Sequence, residues 1–202
     1  MDFPYTPTPF ERWVSDTLIN AGILSPSDIC AEKICSAFGI EYTAHFGIAG
    51  SKTTDDGSYI VTDKRLHRPE QHEQFMHELG HVLRHYGDQT NMPDMFRKYQ
   101  ECDAEVFAMY AAIPLHMIDF SRPYSYQSLA NEFNVTPRLA LKRIENITQK
   151  IIWEQNQQQM ICEPKAVPYD ISQKSAETQR IMNQLKSQLQ QKGESYEFKS
   201  LL

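Results

Sequence analysis

Residues 73–87 read EQFMHELGHVLRHYG, placing imidazoles at His77, His81 and His85 and a carboxylate at Glu78. The chain has only 7 histidines in 202 residues, so three at four-residue steps need a cause. On a helix, positions i and i+4 are neighbours about 6 Å apart, and two imidazoles there can reach one cation at about 2.0–2.1 Å. Neutral imidazole suits zinc, and zinc lowers the pKa of a bound water toward ~7. Glu78 directly follows the first histidine and can reach such a water without being a ligand. It could take the water's proton and deliver it to a leaving amine. His77-Glu78-Leu79-Gly80-His81 is therefore the His-Glu-x-x-His arrangement of zinc hydrolases. At this composition chance supplies roughly 0.02 such matches per chain. The competing reading is a polar helix face whose histidines are simply solvated. A straight helix splays His85 away from an ion held by His77 and His81, which predicts a place behind the ligands or on the surface. His72 is out of phase with the site and is expected at the surface.

A catalytic zinc takes three protein ligands and keeps one open position. The segment MFRKYQECDAEVFAMYAAI, ending before Pro114, reads as a helix that carries acids. Its expected apolar stripe is Met95, Tyr99, Cys102, Val106, Met109 and Ile113. A second face carries Glu101, Ala104, Glu105, Ala108 and Ala112, whose small residues would let it approach the histidine helix. Glu101 and Glu105 lie one turn apart on that face, and Asp103 points elsewhere. Either glutamate could aim at the metal, or merely solvate the helix and interact with its dipole. Tyr42, Tyr59, Tyr86 and Tyr110 are chemically able to stabilise an oxyanion, with nothing to choose among them.

Other elements must hold these residues in place. The histidine helix should open at Pro69 and close at Gly87, with Phe75, Leu79, Val82, Leu83 and Tyr86 facing the core. Two earlier helices are expected. One spans about residues 9–21, before Gly22. The other starts at LSPSDI, with Ser25 as N-cap and Pro26 first, and ends at Gly39. GIEYTAHF and GSYIVT read as strands, and residues 47–57 as the turn-rich connection between them. The edge of GSYIVT could pair with an extended substrate. YQSLANEFNVTPRLALKRIENI, residues 126–147, has helix-turn-helix spacing, with a turn at Asn134 and a cap at Thr136. Val135, Leu139, Ala140, Ile144 and Ile147 should bury its second helix, leaving Arg138, Lys142, Arg143 and Lys150 as a basic outer surface. This segment contacts DNA or a DNA-binding partner, or else caps the core as a helical hairpin. The Gln-, Lys- and Glu-rich residues from about 154 read as a weakly amphipathic helix or, preferably, a mobile tail. The expected organisation is a metallopeptidase domain over 1–122, a helix-turn-helix-like segment over 123–150 and a polar tail over 151–202.

Composition fits this plan. With 41% hydrophobic and 23% charged residues the chain can bury a core. A net charge of −6 disfavours nucleic acid or anionic membrane as the main partner. Cys30, Cys35, Cys102 and Cys162 form no Cys-x-x-Cys pair, which predicts reduced thiols and a cytoplasmic location. The opening MDFPYTPTPF does not read as a signal peptide, and no apolar run approaches the ~20 residues of a membrane helix.

MHELGHVLRH followed by ECDAEVFAMYAAIP resembles the ImmA/IrrE family of zinc metallopeptidases. That family pairs a His-Glu-Leu-Gly-His helix with a downstream Glu-x-Glu-Ala-Asn-x-Phe-Ala segment ending in proline. The match runs through Glu101, Asp103, Ala104, Phe107, Ala108 and Pro114, and the overall likeness covers roughly residues 10–150. The resemblance implies an α+β, zincin-like metallopeptidase core with a small sheet and an active-site helix. It implies Zn2+ on His77, His81 and Glu101, and Glu78 as catalytic base. It also implies a helix-turn-helix repressor as substrate, and the chain looks closer to the short, phage- or mobile-element-encoded ImmA type. Two positions depart from the pattern: Asp103 stands where Glu is usual and Glu105 where Asn is usual. Glu105 is therefore the alternate third ligand. The rival function is a repressor- or DNA-binding adaptor that keeps the metal fold without proteolysis.

Overall fold

Helix α1 (Pro9–Asn20) begins where the Thr8 hydroxyl accepts the Glu11 amide at 3.2 Å and Pro9 supplies a preset φ. It ends near Gly22, as expected. The structure, a computed structural model, describes residues 4–85, 92–161 and 175–191. The second helix departs from expectation. The Asp28 carboxylate turns back to accept the Leu24 and Ser25 amides and takes the Lys33 ammonium at 2.6 Å. That local bonding competes with helix propagation, so Pro26–Asp28 closes as a single 3-10 turn. Helix α2 (Ala31–Phe38) starts three residues later and ends on Gly39, whose φ of 67° suits a residue without Cβ.

Three strands follow rather than two. β1 (Ile40–His45) and β3 (Gly57–Asp63) were expected, but β2 (Gly50–Thr54) occupies the presumed connection. β2 and β3 form a tight hairpin with Thr54 opposite Gly57, and β1 runs parallel to β3 with Ile40 opposite Ser58. The order β1-β3-β2 makes GSYIVT the central strand, so it has no free edge; β2 is an edge strand instead. Asp56-Gly57 was the hairpin signal that could have revealed this. Side chains alternate along β3, and Ile60 and Thr62 are buried.

Helix α3 (Arg68–Arg84) carries the histidines, and helix α4 (Asp94–Ala112) packs along it. The proposed stop at Gly87 lies outside the described residues, and α3 already ends at Arg84. Phe75, Met76 and Leu79 are fully buried, while Val82 and Leu83 are half-buried. His72 is buried, not at the surface, and burial pushes its pKa down to about 4. The expected α4 stripe also shifts. Met109 and Ile113 are buried as expected, but Met95, Tyr99 and Cys102 are exposed, and the buried face also runs through Gln100, Ala104, Phe107, Ala108 and Ala111. Approach to α3 is close enough that a Cβ on Gly80 would lie 2.9 Å from Phe107 Cδ1.

α5 (Tyr126–Phe133) and α6 (Pro137–Ile161) flank Asn134, which adopts the left-handed conformation. Leu129, Ala130, Phe133, Val135 and Ala140 join the core formed by Val14, Ile34, Ile60, Leu79 and Phe107. The expected basic outer surface is only half present. Arg143 is fully buried, with Nη2 2.7 Å from Glu11 Oε1, a charge contact rather than an aligned hydrogen bond. Lys150 donates to Glu11 Oε2 at 2.6 Å and to the Tyr110 hydroxyl at 3.1 Å. The pattern misled because both cations reach inward to one buried carboxylate on α1. α6 also runs further than expected. The chain divides into two compact units, residues 1–154 and 155–202, and the second contains α7 (Ala176–Gln191). The mobile-tail expectation for 162–174 and 192–202 falls outside the described residues. The described residues thus make an α+β protein with seven α-helices and a three-stranded sheet. None of the described helices is long and apolar enough to cross a membrane. Cys30, Cys35 and Cys102 are free, and Cys162 lies outside the described residues.

Candidate metal centre

Helical spacing brings His77 and His81 together, and the α3–α4 packing adds Glu101. His81 Nε2 lies 3.1 Å from His77 Nε2 and 3.6 Å from Glu101 Oε1, while Glu101 Oε2 lies 3.2 Å from His77 Nε2. Three donors about 2.0–2.1 Å from one tetrahedral ion are separated from each other by roughly 3.3 Å. The two glutamate edges run to different carboxylate oxygens, but one donor atom from each residue lies within 4.8 Å of the other two, so these side chains could hold a metal ion. Two neutral imidazoles and one carboxylate suit a borderline divalent cation. Burial, helped by neighbouring His77, pushes the His81 pKa down to about 4, so this ring is neutral and its lone pair available at pH 7.

Glu78 lies beside this triangle, largely buried. Burial raises its pKa, against the opposing influence of a Ser51 hydrogen bond and of His77. Ser51 Oγ donates to Glu78 Oε2 at 2.8 Å, so edge strand β2 touches the expected catalytic base directly. Reading residues 47–57 as a connection concealed Ser51.

Glu105 stands apart from the triangle, on the exposed side of α4, where Lys142 Nζ is 4.0 Å away. His85 is not at the metal position. It lies behind His81, with Nδ1 to Nδ1 at 2.8 Å, and its Nε2 is 3.1 Å from Asp103 Oδ2. Asp103, which does point away from the triangle, also accepts Arg84 Nε at 2.6 Å and Nη2 at 3.0 Å. Among the tyrosines considered for an oxyanion, Tyr110 is committed to Lys150. Tyr42 shares a 3.0 Å hydrogen bond with Thr62, and strand alternation turns Tyr59 to the sheet face opposite Ile60. Tyr86 lies outside the described residues.

The model of the peptidase M78 family, described as an IrrE N-terminal-like domain, matches residues 35–145. The phage-like element PBSX protein XkdA of Bacillus subtilis (strain 168) is 34% identical over 142 residues, covering 67% of this chain and 71% of its own. The uncharacterized protein YqaB of the same strain is 29% identical over 153 residues, covering 73% and 88%.

Proposed function

The chain belongs to the peptidase M78 family of IrrE N-terminal-like domains, and from that premise we propose that it is a zinc-dependent endopeptidase of zincin type. Its substrate is a helix-turn-helix repressor of a phage-like element in the cytoplasm, and cleavage relieves repression. The reading rests above all on the triangle of His77, His81 and Glu101 with Glu78 beside it. The phage-element relative supports the genetic setting.

Zn2+ held by His77, His81 and Glu101 would supply Lewis acidity toward water and toward an amide carbonyl. Glu78 takes a proton from the attacking water and returns it to the leaving nitrogen, and a raised pKa makes it a stronger base in the first transfer. Ser51 fixes Oε2 of Glu78 and leaves Oε1 for the water. Substrate adds to the outer edge of β2 by main-chain pairing, which brings its backbone to the base. The buried Arg143 counts against α6 as a DNA-reading helix, because half of its expected basic surface is internal.

Incubation with the repressor encoded on the same element, followed by mass spectrometry, should show new termini that a chelator abolishes. Glu78→Gln should retain zinc and lose cleavage by at least ~100-fold. Release of repressor activity by Glu78→Gln without new termini would replace the peptidase with the adaptor.

A further inference from the structure

Behind the metal triangle lies a chain of contacts that the peptidase chemistry has not used. It runs from His81 through His85 and Asp103 to Arg84, and ends on two aromatic rings of α1. The Arg84 guanidinium lies 4.0 Å from the Phe10 ring centroid and 5.1 Å from that of Trp13. We propose that His85 and Asp103 are positioning residues that hold His81 in the single tautomer able to ligate through Nε2. The inference rests on the metal-centre reading and extends it to the residues that orient a ligand.

The proton assignment follows from Asp103. An ionised carboxylate only accepts hydrogen bonds, so His85 Nε2, 3.1 Å away, must carry a proton. Arg84 already balances the Asp103 charge through two hydrogen bonds, so a second cation on His85 is not needed there. Neutral His85 therefore has a bare Nδ1. His81 Nδ1, 2.8 Å from it, must donate. With its proton on Nδ1, His81 presents a lone pair at Nε2, the atom 3.1 Å from His77 Nε2. The opposite assignment would place a hydrogen on His81 Nε2 and block the cation. Both positioning side chains are nearly enclosed, 8% exposed for His85 and 11% for Asp103, so water competes little for these bonds. Phe10 and Trp13 hold Arg84 from the other side, which makes α1 part of the support of the centre.

Two measurements on the full chain test this. Long-range proton–nitrogen NMR of 15N-histidine-labelled, chelator-treated protein should show His81 protonated at Nδ1 and His85 at Nε2 only. Zinc competition against a chromogenic chelator should show ten- to a hundredfold weaker binding for Asp103→Asn and for His85→Phe, the range usual for partners of metal-ligating histidines. In Asp103→Asn the His81 ring should also become a mixture of tautomers. A wild-type His85 protonated at Nδ1 overturns the proposal, as do two variants binding zinc within about threefold of wild type. If wild type binds no zinc, the peptidase reading fails, and the NMR assignment still decides the relay by itself. The same assignment decides it if a variant does not fold.

Discussion

Gly80 sets two effects of known size against each other. In a helix interior, Gly→Ala stabilises by about 1 kcal/mol through propensity alone. Here the added Cβ would lie 2.9 Å from Phe107 Cδ1, 3.2 Å from Cγ and 3.3 Å from Cβ. Carbon atoms prefer 3.5–4.0 Å, so the helices must separate by roughly 0.5 Å. Phe107 has little room to give. It is 1% exposed, with the Trp13 ring centroid 6.2 Å from its own, and the contact at its Cβ moves only with the α4 backbone. Overpacking of this kind costs about 1–3 kcal/mol, so Gly80→Ala should be destabilised by up to about 2 kcal/mol despite its better propensity. The metal centre should suffer more. Glu101 lies less than two turns from Phe107 on the same helix, and metal–ligand distances tolerate only about 0.2 Å. Zinc affinity should fall at least ~tenfold, since 1.4 kcal/mol of lost coordination already does that. Urea denaturation and chelator competition on the same samples read both quantities. A variant about 1 kcal/mol more stable than wild type, with unchanged zinc affinity, would show that propensity wins and that α3–α4 packing does not set Glu101.

Arg143→Met should destabilise by about 3 kcal/mol in urea, because among the described residues the buried Glu11 carboxylate would then keep Lys150 and Tyr5 as its side-chain partners. Burial opposes ionisation of Glu11, but Arg143, Lys150 and Tyr5 outweigh it and hold its pKa below the usual value of 4.5. The carboxyl protonates more readily in the unfolded chain, so its contribution is present above that usual value and is lost as pH falls through the folded one. Urea midpoints measured from pH 6 downward should therefore drop more steeply in wild type than in Glu11→Gln; parallel curves would refute the coupling. Ser51→Ala should slow cleavage about tenfold while leaving zinc affinity unchanged, since one hydrogen bond to a charged group contributes about 1.5–3 kcal/mol. Equal kcat in single-turnover assays would remove Ser51 from the site.

The local parts of this protein were legible in its sequence, because helical neighbours are fixed by spacing alone. His77 and His81 share a helix face by periodicity with Glu78 on its flank, and Phe75 and Leu79 occupy the core face for the same reason. The caps at Gly39 and Thr136 were readable too, because a cap depends on residues within one turn. The family followed from two short segments whose residue types are tied to one chemistry, and the comparisons agree with it. Decisions taken between distant segments were not legible. Glu101 and Glu105 are equivalent by spacing, and only the rotation of α4 against α3 brings Glu101 to the histidines. β2 has too few apolar residues to announce itself; it exists because β3 pairs with it, and Ser51 reaches Glu78 as a result. Arg143 reads as a surface cation until α1 supplies Glu11 from more than a hundred residues away. Periodicity specifies which residues share one face of an element. Which face is buried, and against what charge, is settled by the packing of the other elements.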